Sequence, residues 1–141
     1  MHHPPVPLDH LIAAINIDGL SFTTFTEADA MGGSNSSLGL LAQQAADRYG
    51  IRLRNQPAGV SGSDHAPFAM AGIPVLWIGA ALSDDWMRTR YHTRKDDMSQ
   101  PLDFRPATDY SKLVFAVAYL TAQGAERPVW NPGEFLQGMR K

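Results

Sequence analysis

The sequence predicts an α/β fold, a three-layer sandwich on a mostly parallel, mixed sheet, and three observations predict it. Two nearly continuous apolar runs, residues 11–18 and 75–79, read as strands covered on both faces. Other segments repeat apolar residues every three to four positions, the pattern of helices laid on a sheet. Strands alternating with helices then favour parallel pairing through crossovers. The 141 residues form a single domain, 1–141, long enough to bury a core without a disulfide or structural metal.

The first run, Leu11-Ile12-Ala13-Ala14-Ile15-Asn16-Ile17-Asp18, turns polar at its end, as a buried strand does on reaching an open rim, and Gly19 closes it. His10 stands near its start. Residues 21–26, rich in Thr and Phe, read as a second, less buried strand, and 31–35 as a loop. A helix follows. Ser36 or Ser37 offers an oxygen to its first free N–H groups, Leu38, Leu41, Ala42, Ala45 and Tyr49 mark one face, and Gly50 supplies a left-handed stop.

Ile51-Arg52-Leu53-Arg54 alternates apolar and basic residues, as a strand with one wet face does. A glycine-rich turn at 58–63 leads to a short helix at 66–71 that Gly72 ends, and Pro74 opens the interior strand 75–79. Residues 84–106 form a long polar loop, of a length that usually serves function. Thr108 or Asp109 caps the last helix, whose face carries Tyr110, Leu113, Val114, Val117 and Leu120; Gly124 ends it and the tail is irregular.

Composition narrows the partners. Twelve Lys and Arg against fourteen Asp and Glu, a net charge of −2, give no basic footprint for nucleic acid or an anionic membrane, and neither is expected as a partner. The absence of cysteine excludes disulfides, thiolate catalysis and Cys-type zinc sites. No apolar run approaches the ~20 residues of a membrane span. Residues 1–7, with their solvated His2 and His3, lack the basic and apolar regions of a signal peptide, so the compartment is left open.

Ligands of parallel sheets gather beyond the carboxyl ends of the strands, where Asp18, the Ser63-Asp64-His65 turn and the His92 loop converge. A carboxylate ending an apolar strand, Asp18 either takes a metal or a positive partner or caps the next turn. His92 is either a metal ligand held through its second nitrogen or a solvated loop residue. Beside it, Tyr91, Asp96 and Asp97 orient the imidazole or cap turns. Ser63, Asp64 and His65 invite a triad reading, but consecutive side chains diverge, and residues 59–63 end in Ser where a nucleophile elbow needs Gly. A turn that shapes a pocket, its loops held by Asp64 and His65, is the favoured reading of the three.

Taken in order, Ala14-Ile15-Asn16-Ile17-Asp18-Gly19, Ser63-Asp64-His65-Ala66-Pro67-Phe68 with Ala71-Gly72-Ile73-Pro74, and Tyr91-His92-Thr93 with Asp96-Asp97 resemble the C-terminal half of the two-zinc aminopeptidases of peptidase clan MH, family 28. The likeness continues through Gln100-Pro101-Leu102-Asp103-Phe104 to Trp130-Asn131-Pro132-Gly133. It implies a phosphorylase/hydrolase-like fold and an exopeptidase reaction on peptide-like substrates. Two zinc ions then share a bridging Asp and a water, and a Glu serves as general base. Asp18 matches the aspartate ligand of one zinc, His92 the histidine ligand of the other, and the Ser63 turn lies beside the substrate pocket.

The family's His-x-Asp motif, bridging Asp and Glu-Glu pair precede the strand with which this likeness starts, and neither His-x-Asp nor Glu-Glu occurs in the chain. A catalytic zinc ordinarily has three protein ligands. The expectation is therefore a half-domain, a truncated zinc-aminopeptidase-like unit without full two-zinc activity of its own. Two alternatives stand beside it: a hydrolase or esterase whose site is reassembled in an oligomer or built on Ser63, Asp64 and His65, and a module that complements a separate N-terminal half. The uncovered flank of the first strand predicts a homodimer or other homo-oligomer.

Overall fold

A computed structural model describes residues 6–19, 27–57, 63–100 and 103–134. Strands β1 (Ala14–Asp18), β2 (Glu27–Met31), β3 (Arg52–Gln56) and β4 (Val75–Ala80) form one sheet in the order β1-β4-β2-β3. β1 runs parallel to β4 and β2 parallel to β3, while β2 and β4 are antiparallel, so the sheet is mixed and mostly parallel. Its helices are α1 (Leu38–Tyr49), α2 (Ala66–Met70), α3 (Asp84–Thr89) and α4 (Arg105–Gln123).

β4 is the axis of the packing. Strand side chains alternate between faces, and Leu76, Ile78 and Ala80 meet Ala28 and Ala30 of β2 beneath α1 and α4, which supply Leu38, Ala42, Tyr110, Leu113 and Val117. On the other face Val75 packs with Ala69 of α2 and with Trp130. Over β2 and β3 the same face is polar among the described residues, with Arg52 on Glu27 and Arg54 on Asp29, each at 2.7 Å.

α1 lies close to the turn before it because Gly39 has no side chain: a Cβ there would overlap the Gly33 carbonyl. Gly50 ends the helix at φ 65°, the left-handed stop expected of it. The serines before α1 act otherwise than expected. Neither caps it through a side chain; Ser37 Oγ accepts from Val129 N at 3.0 Å and Ser36 Oγ donates to Gly32 O at 3.4 Å. Together with a bridge between Ser36 and Trp130, they fasten the C-terminal segment to the front of α1.

Two further expectations are corrected, the loop at 84–106 and the start of α4. The second described strand is Glu27–Met31, whose Glu-Ala-Asp-Ala alternation lacks the β-branched residues that mark strands; the strand expected at 21–26 lies outside the described residues, as do 58–62 of the glycine-rich turn. The loop expected at 84–106 contains α3, capped by Ser83 Oγ, which accepts from Trp86 N at 3.2 Å. α4 starts at Arg105, not at Thr108 or Asp109, because Pro106 is tolerated in a first turn where its missing N–H has no partner to lose. Asp103 accepts from the Arg105 backbone N–H at 3.0 Å and from its guanidinium, which holds the Asp103 carboxyl down at about 2. Asp109 pairs instead with Lys112 at 3.1 Å. Among the described residues no helix is long and apolar enough to cross a membrane.

Gly39→Ala should destabilise the fold although Ala is favoured over Gly in helices by about 1 kcal/mol, because the methyl group meets backbone. Gly50→Ala, with nothing within 4 Å of its added carbon, should cost only the about 1–2 kcal/mol of a left-handed residue. Urea unfolding of the two variants checks the order; a Gly39→Ala protein as stable as the parent would contradict it.

Candidate functional site

β1 and β4 end at the same rim of the sheet, where Asp18 lies in register with Gly79. Oδ2 of Asp18 accepts three hydrogen bonds: from Ser63 Oγ at 2.8 Å, Asn16 Nδ2 at 3.0 Å and Trp77 Nε1 at 3.1 Å. Asn16 Nδ2 also lies 2.9 Å from Ser63 Oγ, closing a small polar ring. The indole reaches Asp18 because Gly79, two residues on and on the same face, leaves room; a Cβ there would collide with the Trp77 ring. Burial raises the Asp18 carboxyl, but the bonds from Ser63, Trp77 and Asn16, with the nearby charge of His65, outweigh it and hold it below the usual carboxylate range. Asp18 is thus a carboxylate at neutral pH with one oxygen fixed in place.

A cavity of about 440 Å³ opens beside it. Asp18, Ser63, His65, His92 and Asp96 form its polar side, and Met31, Trp77, Leu82, Trp86 and Tyr91 its apolar side. A second cavity of about 500 Å³, between α1 and α4, has Arg48, Tyr49, Phe115 and Tyr119 in its lining and neither carboxylate nor imidazole, so the rim cavity is the candidate site.

His92 is held on this wall in an uncommon conformation, with φ 56° in the left-handed region. Its ring stacks on Tyr91 with centroids 3.8 Å apart, and Tyr91 leans on Trp86 at 6.0 Å. Gln100, buried beneath, ties the segment together: it accepts from Trp86 Nε1 at 2.9 Å and donates to Asp96 Oδ1 at 2.6 Å. Asp96 is thereby anchored to the helix preceding the loop.

The fold therefore gathers Asp18, Ser63, His65, Tyr91, His92 and Asp96 around one cavity. Asp64 and Asp97 are placed elsewhere. Asp64 is exposed and borders a neighbouring groove along β1, and Asp97 is exposed and caps a turn by accepting from Ser99 N at 2.8 Å. The Ser63 hydroxyl donates to Asp18 rather than to an imidazole. Sequence reasoning missed Asn16, Trp77, Trp86 and Gln100. A Trp inside an apolar strand does signal that its N–H needs a partner, but only the fold shows that the partner is Asp18.

Asp18 and His92 border the cavity, yet among the described residues no group of three or more His, Cys, Asp or Glu is placed to hold a metal ion, and a catalytic zinc ordinarily has three protein ligands.

The model of peptidase family M28 matches residues 1–118. No curated protein and no solved structure matches the chain.

Ser63→Ala removes a donor to Asp18 and should raise its carboxyl pKa, read by carbon-13 NMR titration. The sign for stability follows. The ordinary carboxyl titrates at 3.8 and the folded one lower, so the network's contribution is complete above the unfolded value and is lost as pH falls through the folded one. The stability gap between the parent and Ser63→Ala should therefore narrow below about pH 3.8; a gap that stays constant in acid counts against the network. Gly79→Ala should displace the Trp77 indole and shift its N–H resonance toward the solvent-exposed value.

Proposed function

The chain belongs to peptidase family M28, and from that membership we propose that this peptidase-like hydrolase domain contributes the Asp18 and His92 side of a zinc aminopeptidase centre without completing a two-zinc site by itself. One observation carries this reading: a single cavity presents a carboxylate fixed by three hydrogen bonds and an imidazole on a braced loop, the two positions that match the family's ligands. In the family, bound zinc polarises the scissile carbonyl and activates a water. The residues of this chain do the positioning. Ser63, Asn16 and Trp77 turn Asp18, the Tyr91 ring and the Gln100 tie set His92, and Trp86, Met31 and Leu82 give an apolar wall suited to a side chain of a peptide-like substrate.

By the family likeness the remaining ligands and the general base would come from a His-x-Asp motif, a bridging Asp and a Glu-Glu pair, and neither His-x-Asp nor Glu-Glu occurs in the chain. The serine alternative gains no support from the geometry, because the Ser63 hydroxyl donates not to an imidazole but to a carboxylate whose lowered pKa makes it a weak base.

Elemental analysis and turnover of aminoacyl-nitroanilides test the reading. The purified chain should retain less than one zinc per copy and show no chelator-sensitive hydrolysis. Weak zinc binding measured by calorimetry should fall in both Asp18→Ala and His92→Ala, by more than the about tenfold that losing an outer partner costs. Two tightly held zinc ions per chain with chelator-sensitive turnover would overturn it.

A further inference from the structure

The wall of the rim cavity that carries Trp86, Tyr91, His92 and Asp96 is attached differently from the wall that carries Asp18. Asp18 stands in a ladder, whereas residues 84–99 pair with no strand among the described residues, and not one of them is buried. Trp86, Thr89 and Arg90 are partly buried, the others are exposed, and α3 itself buries no residue. Much of what orders this stretch lies within it. Ser83 Oγ caps α3, Tyr91 N donates to Trp86 O at 3.2 Å, Thr93 N to Arg90 O at 2.9 Å and Asp96 N to Thr93 O at 3.0 Å. The Arg90 guanidinium donates to Lys95 O at 2.9 Å. Gln100, buried at the end of the stretch, accepts from the Trp86 indole and donates to Asp96, drawing together positions 14 apart. A loop whose ends meet and whose own side chains fill it is a compact body.

Its attachment to the sheet is slender. The ladder between β2 and β4 gives out at Ala81, whose N–H reaches Glu27 O only at 3.5 Å, the outer limit of a hydrogen bond. Leu82, next in the chain, is partly buried against the α1 and α4 core. At the far end Asp103 fixes the first turn of α4. Segments held by few buried apolar contacts and by exposed backbone hydrogen bonds are those that open well before the whole fold does.

We propose that residues 83–100 form a lid that moves as one body about a joint at Ala81 and Leu82 and controls entry to the cavity. The structure holds it shut, with Trp86 and Tyr91 lining the same cavity as Met31 and Trp77. Opening carries His92 and Asp96 away from Asp18 without breaking a bond inside the lid. An apolar group that fills the cavity touches lid and sheet at once, binds the shut form more tightly and so shifts the lid toward it. The motion follows from how this wall is attached and not from the metal reading, so the failure of either leaves the other intact.

Nitrogen-15 relaxation of the full chain tests it, because lids open and shut in the μs–ms range that relaxation dispersion detects. The indole N–H groups of Trp77 and Trp86 and the amides of Met31, Leu82 and Ser83 should show dispersion with one shared rate and one minor population. The Trp130 indole, behind β4 and bonded to Gly72 O, should show none. Amides of residues 84–99 should keep order parameters of about 0.85, as rigid backbone does, where a loose loop falls below about 0.6. Gln100→Met, close in volume but unable to tie Trp86 to Asp96, should lower those order parameters and leave the β4 amides unchanged. Flat dispersion at the lid, unrelated rates among these groups, or the same dispersion at Trp130 overturns the proposal. Parent order parameters below about 0.6, or a Gln100→Met protein as ordered as the parent, overturn it equally. Should Gln100→Met not fold, the parent's dispersion and order parameters decide.

Discussion

Everything at the rim of the sheet depends on β4 being buried on both faces while pairing in register with β1. That burial demands Val, Leu, Ile, Ala and Gly along the strand, and it admits one large polar-tipped residue, Trp77, only because Gly79 vacates the space beside it. The register then sets Asp18 level with that glycine. A packing requirement and a hydrogen-bond requirement are thus met by the same pair of residues. The indole needs a partner for its N–H, and the carboxylate needs donors to remain charged where it is.

The cavity joins two kinds of surface that come from different parts of the fold. One wall, with Asp18, Met31 and Trp77, grows out of the strands, where the backbone is fixed by ladders, and is continued by the Ser63 turn. Its other wall comes from the segment after α3, which has no ladder and is braced instead by side chains: Tyr91 on Trp86, and Gln100 between Trp86 and Asp96. The left-handed backbone at His92 is held against its local preference by that bracing. The unit thus presents groups held in fixed orientations around one cavity.

The elements with strong periodicity were readable in advance: α1 with Gly50, the strand after Pro74, and the face of α4 carrying Tyr110, Leu113 and Val117 all follow from apolar spacing and stop residues. β2 was not, because its identity as a strand comes from tertiary pairing between β3 and β4 rather than from Glu-Ala-Asp-Ala-Met itself. The start of α4 was missed because Asp109 looks like a cap until Pro106 is recognised as a first-turn residue. At the site, Asp18 and His92 could be named from their positions and from the family likeness. The partners that aim them could not: Ser63 is 45 residues and Trp77 59 residues away from Asp18 in the chain, and contacts at such separation have no local signature.

Trp130 has a bearing on where the folding unit stops. The family model's match ends at residue 118, inside α4, yet the indole of Trp130 plugs the layer behind β4 and donates to Gly72 O at 3.0 Å, and Asn131 N donates to Asn35 O at 2.7 Å. The stretch that the family model matches is therefore shorter than the stretch that closes the core. A piece trimmed to the matched residues would keep every proposed ligand and still leave its back wall open to water.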